Sequence, residues 1–481
     1  VFPAGLEVKA GSEGNPEAHK WIIICISFVS FMVSVDGYAV NISLPTIAHY
    51  FKTGTGEVSW VVLSYLLAVT STLLIFGKLG DKIGFKKVFL LGFVIFTLAS
   101  LLCGISPNIY FLIFARCLQG IGGSMLLGMA PAMITRYLPA DKRGSAFGFY
   151  ATFAALGITM GTPLGGLITG FVSWHWIFFI NVPVGIAAIY ICWLVLPGGE
   201  SLEEREGGFD FIGAFLCLTG CLSLLYALNR GSDVKWTNPL IPACLGASAV
   251  LWILFVIWES RARYPLINLN LFRNRAFAFG NLACLSAFAF QAGSNFLLPF
   301  YLISLKGLKS EEAGFVVLSY SIVYMVLGLV AGRISDKISP RALCTAAMIA
   351  GSASAFFFAF TLRLPGIWQV FVFNVGFAAS YAFFVPSNNK AVLEMSPEGA
   401  QGIASGILRT VIYLSLTSGV CIFETIFNGI SGISQTGLHL MSRQGPAVSG
   451  FSSAYLVGGL MCLVSMLFSL AAGLQKRSMP S

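Results

Sequence analysis

The chain is predicted to be an all-α polytopic membrane protein with fourteen transmembrane helices, laid out as six, an inserted pair, and six more. Three observations lead there. Of its 481 residues 57% are hydrophobic and only 10% are charged, with a mean hydropathy of +0.83. No water-soluble domain could bury that much apolar surface. The apolar residues also come in runs of roughly 20, the length that crosses a bilayer as a helix. Finally, one short Gly–Asp–Lys hairpin signal occurs in each half of the chain, at 77–88 and 332–341, which suggests an internal duplication.

Residues 1–20 are polar and contain Gly and Pro, so they read as a tail and not as a signal peptide. Six spans follow at 21–45, 58–77, 87–105, 109–135, 145–171 and 175–196, an N-terminal bundle over 21–196. The acidic, Gly-rich stretch PGGESLEEREGGFD at 197–210 closes it. Spans at 211–229 and 239–258, followed by an Arg-rich segment with Pro265, make 197–275 an inserted hairpin with its linkers. The last six lie at 276–303, 312–333, 341–362, 366–392, 401–428 and 451–474, a C-terminal bundle over 276–475 with a tail at 476–481. Trp21, Trp60, Trp174, Trp176, Trp236, Trp258 and Trp368 fall at span ends, where interfacial anchoring is expected.

The net charge of +9 does not indicate nucleic acid, because the cations sit in short loops between spans. Of the 29 basic side chains, twenty fall on one side of the predicted membrane and seven on the other. Positive charge marks the inner side, so both termini are expected in the cytoplasm and the protein in the cytoplasmic membrane. Eleven cysteines lie almost wholly in apolar segments without a C-x-x-C pair; Cys217 and Cys221 share a helix face as small hydrophobes. No disulfide framework, metal site or cofactor follows.

The first hairpin signal is GKLGDKIGFKKV, residues 77–88. Gly77 and Gly80 are expected to let a helix end turn tightly, Asp81 to cap or pair, and Gly84 to keep the turn short. Lys78, Lys82, Lys86 and Lys87 crowd the same loop. GRISDKISPR at 332–341 is its weaker copy. This pattern resembles the loop signature of the major facilitator superfamily. VDGYAVNISLPTI at 35–47, with Asp36, Asn41 and Pro45 in register, is similar to the first-helix signature of that family's fourteen-helix drug:proton antiporter branch. LIFARCLQGIGGS at 112–124 resembles the fourth-helix motif built on an intramembrane Arg. WHWIFFINVP at 174–183 matches a further signature of the branch except that His175 replaces the usual Arg, and PLINLNLFRNRAF at 265–277 also looks like this branch. In the fifth helix Gly157, Gly161, Gly165 and Gly166 suit the antiporter motif, but Pro163 comes one place late. Gly spacing of this kind leaves a bare face for close helix approach, so packing and gating are both open readings. The span at 312–333 lacks a mid-helix acid that some cationic-drug exporters of the branch possess.

Ionisable groups at bilayer depth are costly and are functional candidates by default. Asp36 lies about nine residues, roughly 13 Å, from the outer end of its predicted helix. Arg116 lies about seven residues, roughly 10 Å, from the outer end of the fourth. The depths match, and the resemblance implies that both helices line one central cavity. Apolar walls favour the neutral acid and an opposite charge the ionised one, so Asp36 protonation is expected to follow conformation, unless the pair is permanently structural. Glu424, near the outer end of its helix, is a second proton or substrate candidate, or a solvated interfacial acid. Arg409 has no acid on its own helix face and either binds an anionic group or satisfies helix-end carbonyls. Asp81, Arg143, Asp336 and Arg341 are expected to act as conformational latches. Asn41, Gln119, Gln291, Asn295, Tyr320, Tyr324, Asn374 and Asn388 are the other candidates for a substrate cavity.

The resemblance implies a secondary active exporter exchanging protons for amphiphilic molecules or drugs, acting as a monomer in lipid. The only Gly–Lys dipeptide, Gly77–Lys78, is followed by Leu79, so no Walker A loop supports ATP-driven transport. His19, His49, His175 and His439 are scattered at loops, which argues against an enzyme. A dedicated exporter of one metabolite, lipid or siderophore would use the same machinery. A non-transporting receptor would want large loop domains, and none is present.

Overall fold

The computed structural model describes residues 16–196, 210–234, 238–262, 269–335, 338–395, 401–432 and 444–472. They form fourteen long helices and no strand among the described residues. The N-terminal six are α1 (Pro16–Phe51), α2 (Thr55–Ile83), α3 (Phe85–Gly104), α4 (Ile109–Tyr137), α5 (Ala140–Phe171) and α6 (His175–Val195, in two pieces meeting at Ile180). The inserted pair is α7 (Phe211–Val234) and α8 (Leu240–Glu259). The C-terminal six are α9 (Arg275–Phe300, prolonged by a π-helical turn), α10 (Ser310–Ser335), α11 (Pro340–Thr361), α12 (Trp368–Glu394), α13 (Gln401–Ser431) and α14 (Gln444–Ala472). Thirteen of these are long and apolar enough to cross a membrane; α7 has a shorter apolar stretch, Phe211–Leu224, before Asn229, Arg230 and Asp233.

Two expected helix ends move. α1 continues through Pro45 to Phe51, because Ile47 and Ala48 are fully buried and Tyr50, Phe51 and Trp174 pack edge to face. α2 continues through Gly77 and Gly80, and the expected loop shrinks to Gly84 alone, with φ 98. Gly80 serves a close approach: a Cβ there would fall 2.4 Å from Met129 Sδ on α4. Asp81 therefore lies in the last turn of a helix and not at a cap. Trp174 is buried and stacks on His175 with ring centroids 3.7 Å apart, so it is a packing residue, whereas Trp176 and Trp368 stand exposed as anchors do.

Each six-helix set packs alike. α1 lies along α5 and α2 along α4, while α3 contacts α4 and α6; in the second half α9 lies along α13 and α10 along α12, while α11 contacts α12 and α14. Small residues let these backbones meet. A Cβ at Gly120 would sit 2.5 Å from Tyr65 O, and one at Gly122 2.6 Å from Phe96 N. Buried hydroxyls add cross-helix bonds: Ser43 with Thr169 (2.7 Å), Thr72 with Ser124 (2.6 Å) and Ser465 to Ala283 O (2.8 Å). Outward faces carry Leu98, Phe114, Phe171, Trp193, Ile253 and Phe360, a surface that suits lipid.

The halves meet along two seams, α2 with α13 and α5 with α10. The inserted hairpin is not remote from them. α7 packs against both α2 and α13, burying Ala214, Cys217 and Cys221 while Phe211 and Phe215 face out, so the pair covers one seam. Both described chain ends, Pro16 of α1 and Ala472 of α14, belong to one face of the bundle, called here the termini face.

Candidate functional site

Asp36 of α1 and Arg116 of α4 are brought together. Arg116 donates from Nη1 to Asp36 Oδ2 at 2.7 Å, and both side chains are almost wholly buried. Gln119, one turn along α4, donates from Nε2 to Asp36 Oδ1 (3.0 Å) and to Ser100 Oγ (2.9 Å) and accepts from Arg116 Nη1 (2.6 Å). Asn181 of α6 donates to Asp36 Oδ1 at 2.8 Å, while Arg116 Nε donates to Val61 O at 3.0 Å. The guanidinium also lies over the Tyr65 ring, 4.3 Å from its centroid. Among the described residues every hydrogen-bond partner of Asp36 is a donor, the set that a carboxylate satisfies. The pair sits inside the N-terminal bundle and does not line an open cleft. Asn181 was not singled out from sequence, although it lies inside the quoted 174–183 motif; its signal was a polar residue in an apolar helix.

Glu424 of α13 is fully buried, not interfacial. Asn428, one turn on, donates to Glu424 Oε1 at 3.4 Å and accepts from Thr55 of α2 at 2.9 Å. The chain Thr55–Asn428–Glu424 thus crosses a seam between the halves at the face away from the termini. The other seam closes at the same face. Ser310 of α10 bonds Thr46 at 3.0 Å, and a Cβ at Gly166 would meet Ser310 O at 2.7 Å. About three to four turns deeper on the first seam, Thr70 and Thr417 share a bond of 3.3 Å.

Beneath this closure lies a small cavity lined by Tyr38, Asn41, Ile42, Thr162, Asn295, Leu298, Pro299 and Val317, from α1, α5, α9 and α10. Asn41 Oδ1 has no hydrogen-bond partner among the described residues. Asn295 bonds Tyr38, Gln291 donates to Tyr320 OH at 3.0 Å, and Tyr320 stacks on Tyr324. Of the candidate cavity residues, Asn41 and Asn295 line this cavity, while Gln291, Tyr320 and Tyr324 pair with one another beside Tyr38. Asn374 does not join them: it ties α12 to α10 through Val316 O (3.1 Å) and Ser319 Oγ (3.0 Å). Asn388 is buried on α12 with Nδ2 unpartnered among the described residues. Gln119 belongs to the Asp36 network. Nearer the termini face, Arg409 of α13 reaches across to Tyr150 of α5, donating to its hydroxyl at 3.3 Å.

Of the expected gating residues, Gly157, Gly161 and Gly165 form the face of α5 that meets α1: a Cβ at Gly165 would fall 2.6 Å from Ala39 Cα. Pro163 sits inside the unbroken α5, its Cα 3.5 Å from where a Cβ of Gly314 on α10 would lie. Arg341 is exposed in the first turn of α11. The side chains of Asp81 and Arg143 and all of Asp336 lie outside the described residues.

A family model described as Major Facilitator Superfamily matches residues 26–420. The chain is 31% identical to the riboflavin transporter RibZ of Clostridioides difficile over 94% of this chain and 97% of that one. It is 31% identical to multidrug resistance protein 3 of Bacillus subtilis, over 85% of this chain and 79% of that one. Among solved structures, a bacterial homologue of the human lysosomal transporter Spinster, inward-facing and occupied, aligns with a TM-score of 0.64 at 14% identity, over 95% of this chain and 97% of that one, a likeness of fold.

Proposed function

The chain belongs to the Major Facilitator Superfamily, and from that premise we propose that it is a proton-coupled antiporter exporting amphiphilic small molecules by alternating access. It is a multi-pass membrane transporter and not an enzyme. The observation that carries the finer reading is the closure of both seams at one face over a buried carboxylate, Glu424. Opening that face requires parting Thr55 from Asn428, and the same movement would admit water to Glu424. A carboxylate in water that must re-enter an apolar seam does so more cheaply as the neutral acid. Proton uptake then accompanies closure, and release follows on the opposite side as substrate binds there in exchange.

Asp36 and Arg116 form the second coupling candidate. Exchange there needs α1 to move against α4 and α6, since donors from both hold the carboxylate. The basic termini face is the cytoplasmic side in this scheme, with Asp81, Arg143, Asp336 and Arg341 as latches and Gly157, Gly161, Pro163 and Gly165 as the sliding face of α5. Protons, one small-molecule substrate and surrounding lipid are its partners, and one chain carries a whole path. The multidrug relative supports a broad amphiphilic range; the riboflavin transporter supports the alternative, a dedicated exporter of one metabolite.

The test is reconstituted protein in liposomes with an imposed pH gradient and a substrate panel. Uphill flux that reverses with the gradient is expected. Flux indifferent to the gradient for every transported compound would eliminate proton antiport.

A further inference from the structure

No carboxylate answers the charge of Arg409 in α13 among the described residues. Arg116, by contrast, is neutralised by Asp36 at 2.7 Å. Glu424 shares α13 with Arg409 but stands fifteen residues along it, about 22 Å at 1.5 Å per residue. Arg409 makes a hydrogen bond to Tyr150 OH (3.3 Å) and lies 5.1 Å from that ring's centroid. A guanidinium carries five N–H donors, so most are left for another acceptor. Its residue is half-buried, and its hydrogen bond to Tyr150 spans from α13 to α5. Among the described residues no helix-end carbonyl accepts from it.

The surroundings complete a receptor. Tyr150 OH already accepts from Arg409, so its own proton is free to donate to a third group. Tyr413, one turn along α13, interacts electrostatically with Arg409, Tyr150 and Tyr38. Tyr38 in turn neighbours Tyr320 and Tyr324. An aromatic wall thus runs from the cation up towards the small cavity beneath the closed face. Planar guanidinium donors match carboxylate, sulfonate and phosphate oxygens, and aromatic walls take apolar bodies.

We propose that Arg409, with the hydroxyls of Tyr150 and Tyr413, receives the acidic head of an anionic amphiphile whose apolar body lies along the Tyr38, Tyr320 and Tyr324 wall. The assignment rests on the reading of the chain as a transporter of amphiphiles and names their charge. Because Tyr150 and Arg409 belong to opposite halves, the same anion would draw the two bundles together at this depth.

The experiment is equilibrium binding to the full chain in neutral-lipid nanodiscs, without any gradient, of two matched probes: 2-naphthalenesulfonate and 2-naphthyltrimethylammonium. The sulfonate is expected to bind at least about tenfold tighter. Arg409→Gln should weaken the sulfonate alone by about ten- to a hundredfold, with Arg409→Lys between and Tyr150→Phe losing less. Equal affinity for both probes, no measurable sulfonate binding, or an unchanged sulfonate affinity in Arg409→Gln would overturn the site. Should Arg409→Gln not fold, the wild-type preference and the Tyr150→Phe loss decide. Sulfonate preference without pH-driven flux would sink antiport and leave this site standing; pH-driven flux of the cation without sulfonate preference would do the reverse.

Discussion

Asp36 takes donors from two other helices, and Arg116 is held in turn by Gln119, Val61 and the Tyr65 ring. Removing one charge strands the other, which in a buried pair costs about 3–5 kcal/mol. Asp36→Asn is therefore expected to lower thermal stability in detergent markedly, and adding Arg116→Gln to recover most of the loss. Thermal melts of the two variants check this, and a double variant no better than the single would refute the pairing account. Glu424 differs, because Asn428 of its own helix donates to it, at 3.4 Å, and an amide in its place can still accept that bond. Glu424→Gln keeps the shape and an acceptor, so stability should change by less than about 1 kcal/mol. Uphill transport under a pH gradient should nonetheless be lost while substrate binding persists. Coupled transport equal to wild type would move the proton site back to Asp36.

At the scale of the element, α5 shows how a glycine pattern is used. Its Gly157, Gly161 and Gly165 are pressed on α1, with a Cβ at Gly157 falling 2.5 Å from Phe31 O. Gly148 on the same helix has no atom within 4 Å of such a Cβ. Gly165→Ala should therefore part α5 from α1, with loss of yield and transport. Gly148→Ala should be neutral or stabilise by up to about 1 kcal/mol through helix propensity. Fluorescence-detected size exclusion and melting of the two variants side by side would separate them; equal behaviour would mean that α1 yields to a methyl group.

For the whole molecule, the proposed alternating access makes the closed seams one end of the transport cycle. Thr55 and Asn428 are joined side chain to side chain across α2 and α13, so cysteines at both positions should cross-link. The cross-linked Thr55→Cys/Asn428→Cys protein should lose transport and regain it on reduction. Transport that survives complete cross-linking would show that this seam need not open. α7 lies over the same two helices, so the inserted hairpin packs on the seam.

The number and order of helices, the inserted pair and the matching depths of Asp36 and Arg116 were legible from the chain alone. They follow from run length, charge placement and the fixed rise of a helix, which are local quantities. What the fold alone decided is who faces whom. Pro45, Gly77 and Gly80 look like helix ends in isolation, yet α1 and α2 run through them, with Pro45 and Gly80 buried among neighbouring helices. Glu424 reads as an interfacial acid until α2 closes over it, and Asn181 reads as incidental until α6 swings it onto Asp36. Arg409 acquired its partner from a helix more than two hundred residues away. Helices in an apolar medium are all hydrophobic on their outside, so rotation about each axis leaves little periodic trace in the sequence. It is set instead by small residues and buried polar pairs that meet only in three dimensions.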